Sequence, residues 1–120
     1  MIELTKAEEQ IMQVLWKLGP SFVKEIVQEL PDPKPAVTTV STIIRILEKK
    51  QVVAHKDFGN SYQYYPLISE NEFSGFSLGK VIRSYFNDSY QNLVSHLIRE
   101  KQLSLEEIDE LLKLHKNKEL

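Results

Sequence analysis

The sequence predicts a mainly α-helical chain with one small β-hairpin, in the order helix, helix, helix, hairpin, and then further helices. Three observations carry this. Apolar residues recur at i, i+3, i+4 and i+7 in successive stretches. The pair Gly59-Asn60 is flanked by two strand-like runs. The pattern Ser/Thr-x-x-Glu, which opens helices by reciprocal capping, stands at Thr5/Glu8, Ser69/Glu72 and Ser104/Glu107.

Helix 1 opens at Thr5, with Glu8 reaching back, and carries Ala7, Ile11, Val14, Leu15 and Leu18 on one face until Gly19-Pro20 stops it. Ser21 is the expected cap of a short second helix bearing Phe22, Val23, Ile26, Val27 and Leu30, which "PDPKP" ends. Helix 3 is expected from about Ala36 to Lys50. "VVAHK" and "YQYYPL" then flank "DFGNS" as a hairpin. Beyond it Val81, Ile82, Tyr85 and Phe86 form a stripe, Asn87-Asp88-Ser89 breaks it, and Tyr90, Leu93, Val94, Leu97 and Ile98 resume it. A last helix carries Ile108, Leu111 and Leu112.

Helix 3 holds the main conflict. Eight of the ten residues from Val37 to Ile46 are β-branched, a strand-like composition. The spacing of Val40, Ile43, Ile44 and Leu47 is helical, and the adjacent Ile43 and Ile44 break any strand alternation. β-Branching costs only a few tenths of a kcal/mol per residue in a helix, whereas burying such side chains contributes roughly 1.5 to 3 kcal/mol each. Packing therefore decides for helix, and the remaining residues, Thr38, Thr39, Ser41, Thr42 and Arg45, face outward.

At 120 residues with 42% hydrophobic content, the chain suits one domain, or a small domain with an attached oligomerisation segment. It has no cysteine, which excludes disulfides, thiolate metal sites and a cysteine nucleophile. No signal-like amino terminus and no membrane-spanning run is present, so a cytoplasmic protein without membrane insertion is expected. His55, His96 and His115 lie far apart in the sequence, and no cofactor or metal is expected. The net charge of −2 hides an uneven distribution: Pro33 to Lys56 contains five positive residues against one negative. A phosphate senses this local charge, because screening at physiological salt limits reach to about 8 Å.

Three helices followed by a hairpin is the order of a winged helix-turn-helix, in which the third helix enters the DNA major groove and the wing touches adjacent phosphates. Short hydroxyl side chains allow close approach to bases and phosphates, and Arg can fork onto guanine. The candidate DNA contacts are Thr38, Thr39, Ser41, Thr42, Arg45 and Lys49 on helix 3, with Lys56, Asn60 and Ser61 on the wing. For Lys49 a solvated helix C-terminus, favoured by the helix dipole, explains the residue equally well. A winged-helix protein-interaction adaptor is the alternative function. No acid, base and nucleophile constellation supports an enzyme. The division expected is 1–68 for the winged helix-turn-helix and 69–120 for a helical dimerisation segment. The short helices of that segment cannot enclose much core alone, so their apolar faces are expected to bury on a second copy of the chain.

"LTKAEEQIMQVLWKLGP", "TTVSTIIRILEKKQVVAHK", "YQYYPLISENEF" and "NLVSHLIREKQLSLEEIDEL", in this order and spacing, resemble the penicillinase repressor family of the BlaI/MecI type over nearly the whole chain. The resemblance implies a homodimeric transcriptional repressor that binds a palindromic operator in double-stranded DNA, with contacts on Thr38, Thr39, Ser41, Thr42 and Arg45. Relatives commonly carry a longer basic residue where Ser41 stands, and often Gly where Gln51 stands. For the β-lactam branch it implies a membrane sensor-protease pathway that cuts the dimerisation region, commonly at an Asn-Phe bond; the matching position here reads His96-Leu97. The copper-responsive branch senses metal through cysteines, which this chain lacks.

Overall fold

In the computed structural model, which describes residues 2–119 and the side chains of residues 2–115, the chain divides into two compact units, Met1–Phe76 and Ser77–Leu120. The first contains α1 (Lys6–Leu18), β1 (Ser21–Phe22), α2 (Val23–Glu29), α3 (Val37–Lys49), β2 (Val53–Phe58) and β3 (Ser61–Pro66). Helix α4 (Glu70–Tyr85) runs across the division, and α5 (Tyr90–Arg99) and α6 (Leu105–Glu119) follow.

The capping boxes act as the sequence implies. The Thr5 amide donates to Glu8 Oε1 at 2.7 Å and the Glu8 amide donates to Thr5 Oγ1 at 3.2 Å. Ser69/Glu72 and Ser104/Glu107 make the same reciprocal pairs. Asn87 and Asp88 take left-handed φ of 53° and 56°, which their short polar side chains tolerate, and Ser89 caps α5.

Two expectations need correction. Ser21 does not cap a helix: it pairs with Tyr64 as part of β1, and its hydroxyl donates to the Gly19 carbonyl. The helix starts at Val23 instead, after Phe22, whose amide is held by Glu25. The hairpin is therefore the larger part of a three-stranded antiparallel sheet in the order β1-β3-β2. Its turn is Gly59-Asn60, as the sequence implies, with Gly59 at φ 62° as a two-residue hairpin turn with Gly first requires, and the strands run on through Phe58 and from Ser61.

The core of the first unit is built by Ile11, Met12 and Leu15 of α1, Ile26 of α2, Val40, Ile44 and Leu47 of α3, and Val52, Val53 and Tyr64 at the root of the hairpin. Trp16 ties α1 to the hairpin exit, donating from Nε1 to the Ile68 carbonyl at 2.9 Å and packing on Phe73. The end of α3 is shaped by a left-handed Gln51, φ 66°, with the Val52 amide bonding back to the Leu47 carbonyl. A side chain is unfavourable in that conformation, so Gln51→Gly is expected to raise stability by about 0.5–1 kcal/mol in urea unfolding.

Glu8 is buried beside the Lys50 ammonium, 2.8 Å from its Oε1. Burial pushes the carboxyl up, but Lys50 and the Thr5 hydrogen bonds outweigh it and hold it below the usual carboxylate range. A lowered folded value means that the stabilisation is complete above that range and is lost as pH falls from it through the lower, folded value. The urea midpoints of wild type and Glu8→Gln are accordingly expected to differ at neutral pH and to converge in acid.

Candidate nucleic-acid interface

Helix α3 divides its faces sharply. Val40, Ile44 and Leu47 are buried and Ile43 is half-buried. On the opposite side Thr38, Ser41, Thr42, Arg45 and Lys49 stand at i, i+3, i+4, i+7 and i+11, one continuous helical stripe. All five are exposed except Ser41, which is half-buried. Thr39 is exposed on the flank of this stripe rather than within it. The Thr42 hydroxyl donates to the Thr38 carbonyl at 3.0 Å, so towards any ligand Thr42 presents its oxygen lone pairs and its methyl.

The wing closes one side of this face. Ser41 and Arg45 of α3, Asn60, Ser61, Tyr62 and Tyr64 of the wing, and Lys24 at the start of α2 line one open hollow of about 600 Å³. Of its polar residues, Lys24, Glu25, Tyr62 and Tyr64 are not among the contacts expected from sequence; Lys24 and Glu25 sit on a short helix whose local signal is its apolar face. Burial, then the Glu48 charge, raises the Tyr64 phenol, so its hydroxyl stays protonated at neutral pH.

Strand alternation places Lys56 on the other face of the wing from Tyr62 and Tyr64. It lines a separate hollow of about 490 Å³ with Trp16, Pro20, Gln63 and Tyr65. The structure therefore brings Asn60 and Ser61 together with Arg45 but leaves Lys56 apart.

The cationic cluster also divides. Lys34 bonds the Gln28 and Leu30 carbonyls at the end of α2, both at 2.8 Å, and Lys50 bonds Glu8 and the Glu3 carbonyl. Among the described residues, Arg45 and Lys49 have no hydrogen bond or ion pair and remain available. His55, far from any partner by helical spacing, is brought by packing against two carboxylates: Nδ1 lies 2.5 Å from Glu48 Oε2 and Nε2 lies 3.5 Å from Asp57 Oδ1. No group of three or more His, Asp or Glu side chains among the described residues is arranged to hold a metal ion.

A family model described as penicillinase repressor matches residues 4–117. The chain belongs to the penicillinase repressor family. This is a family of transcriptional repressors, not of enzymes, and its member here carries a DNA-binding winged helix. The chain is 28% identical to the penicillinase repressor of Bacillus licheniformis, over 97% of this chain and 94% of that one. It is 26% identical to the methicillin resistance regulatory protein MecI of Staphylococcus aureus strain N315, over 91% and 89%. A solved structure of Bordetella bronchiseptica BpsR, whose DNA binding is regulated by 6-hydroxynicotinic acid, shares the fold with TM-score 0.50 at 15% identity, covering 98% of this chain and 76% of that one.

In this penicillinase repressor family member the apolar residues of the second unit differ in availability. Ile82 is enclosed within its own chain. Val81, Tyr85, Val94, Leu111 and Leu112 are exposed, and Phe86, Leu93, Leu97, Ile98 and Ile108 are half-buried. His96 and Leu97 lie inside α5, where the His96 ring packs edge-on against Phe86. No described helix is long and apolar enough to cross a membrane.

Proposed function

We propose that the chain is a homodimeric, cytoplasmic repressor that binds a palindromic operator with α3 in the major groove and the wing on the neighbouring backbone. The observation that carries this reading is the uncovered stripe of Thr38, Ser41, Thr42, Arg45 and Lys49, flanked by Asn60 and Ser61 of the wing. Arg45 offers a forked donor to guanine, the hydroxyls allow close approach, and Lys49 and Lys24 supply phosphate contacts. Thr39 reaches the backbone from the flank of the stripe, and Lys56 contacts the strand that passes behind the wing.

Segment 69–120 makes the dimer through the exposed apolar side chains of α4, α5 and α6, which links two modest half-site contacts into one tight one. A membrane sensor-protease pathway then releases DNA by cutting at His96-Leu97. Support for this step is that His96-Leu97 stands at the position matching the bond cut in the β-lactam branch.

The test uses a duplex footprinted upstream of the protein's own gene. Arg45→Ala is expected to weaken binding about 10- to 100-fold, the worth of one bidentate base contact. Log affinity is expected to fall linearly with log salt. Unchanged affinity, or a flat salt dependence, would instead support the protein-interaction adaptor.

A further inference from the structure

The wing leaves the core at one place. Val53 and Tyr64 are buried, and from the His55↔Tyr64 pair outward lie three further cross-strand pairs, Lys56↔Gln63, Asp57↔Tyr62 and Phe58↔Ser61. Exposure rises along β2 towards the tip. At about 3.3 Å per residue the tip stands roughly 10–13 Å beyond His55, so a tilt of about 10° at the root moves it by about 2 Å. That exceeds the distance tolerance of a hydrogen bond.

His55 stands at this root and faces α3. Its Nδ1 is 2.5 Å from Glu48 Oε2, and its ring stacks on Tyr62 with centroids 4.3 Å apart and planes 26° apart. Tyr62 in turn lines the hollow with Arg45 and Ser41. Among the described residues, no other side chain of the wing hydrogen-bonds to α3. On the opposite face Phe58 rests edge-on against Phe22, so the wing is held from both sides.

We propose that His55 is a specificity-determining positioning residue: through Glu48 and Tyr62 it sets the angle of the wing beside α3, and so decides which sequences flanking the α3 contacts give the backbone a shape that the wing accepts. This rests on the DNA-binding reading above. Glu48 is the anchor on the helix, and Tyr62 transmits the ring's position to the face that meets DNA.

The experiment is selection of duplexes from a random-sequence pool by the full-length protein, with urea unfolding of each variant alongside. Wild type is expected to enrich a motif with central and flanking positions. His55→Ala is expected to keep the central bases, lose preference at the flanks, and bind the wild-type motif about tenfold less tightly. His55→Asn, whose amide can still donate to Glu48, is expected to restore part of the flank preference. Glu48→Ala, which removes the anchor without touching the wing, is expected to reproduce His55→Ala and covers the case in which that variant does not fold.

A folded Glu48→Ala or His55→Ala that enriches the wild-type flanks with wild-type affinity overturns the inference while leaving the DNA-binding reading standing. Equal loss of preference at central and flanking positions also overturns it, by assigning His55 a general structural role. A wild-type protein that enriches no sequence overturns the DNA-binding reading, and this inference with it.

Discussion

Replacing Leu111 and Leu112 together by aspartate is expected to convert the protein to a monomer and to weaken operator binding by roughly two to four orders of magnitude, with the Met1–Phe76 unit still folded. The two leucines are 57% and 59% exposed on α6, so the substitution buries no charge within the chain. Other apolar side chains of the same unit are exposed too: Tyr85 is 80% exposed and Leu105 71%. Among the described residues, Ile82 is the one hydrophobic side chain of Ser77–Leu120 that is fully buried. A unit with so little interior and so much exposed apolar surface is the kind that gains its core from a partner. Charge placed there opposes association, and each half-site must then be bound without the effective concentration that the second module supplies. Light scattering reads the mass, gel-shift titration reads the affinity, and urea unfolding shows that the winged unit is intact. A dimeric double variant with wild-type affinity would remove these helices from the proposed role.

The second large effect lies on the inner side of α3. Ile44→Ala is expected to destabilise the first unit by about 2–5 kcal/mol, through lost burial and the cavity left behind. Ile44 has no exposed surface and packs in the cluster with Ile26 and Val53. Because small domains hold only about 5–15 kcal/mol in total, this removes a large share of the stability of the unit that presents Arg45. Thr42→Ala, two residues earlier on the exposed face, is expected to change stability by no more than about 0.5 kcal/mol. Its effect should be on DNA affinity. Urea unfolding and gel-shift titration of the two variants therefore separate a residue that holds the helix from one that the helix presents. Equal destabilisation by both would contradict the division of faces.

That division is legible in the sequence because its signals are local. A stripe at i, i+3, i+4 and i+7 and a cap that bonds three residues ahead depend on neighbours along one helix, and α3, the three capping boxes and the Asn87-Asp88 break all appear where those signals stand. Strand β1 was not legible. Two residues carry no periodicity, and Ser21 looks like a helix cap until Tyr64 is placed beside it.

The charge cluster shows the same limit at the candidate site. Counting along the chain treats Lys34, Arg45, Lys49, Lys50 and Lys56 alike. Packing ties Lys34 to the end of α2 and Lys50 to Glu8, which lies 42 residues away, and turns Lys56 to the far face of the wing.

That a β-branched segment forms a helix with one apolar and one hydroxyl-rich face is encoded locally, because helical periodicity and burial act within that segment. Long-range packing sets which cations remain outside, that His55 meets Glu48, and how the wing's Asn60 and Ser61 come to stand beside Arg45. Those facts depend on residues distant in the chain being packed together, and no local spacing encodes them.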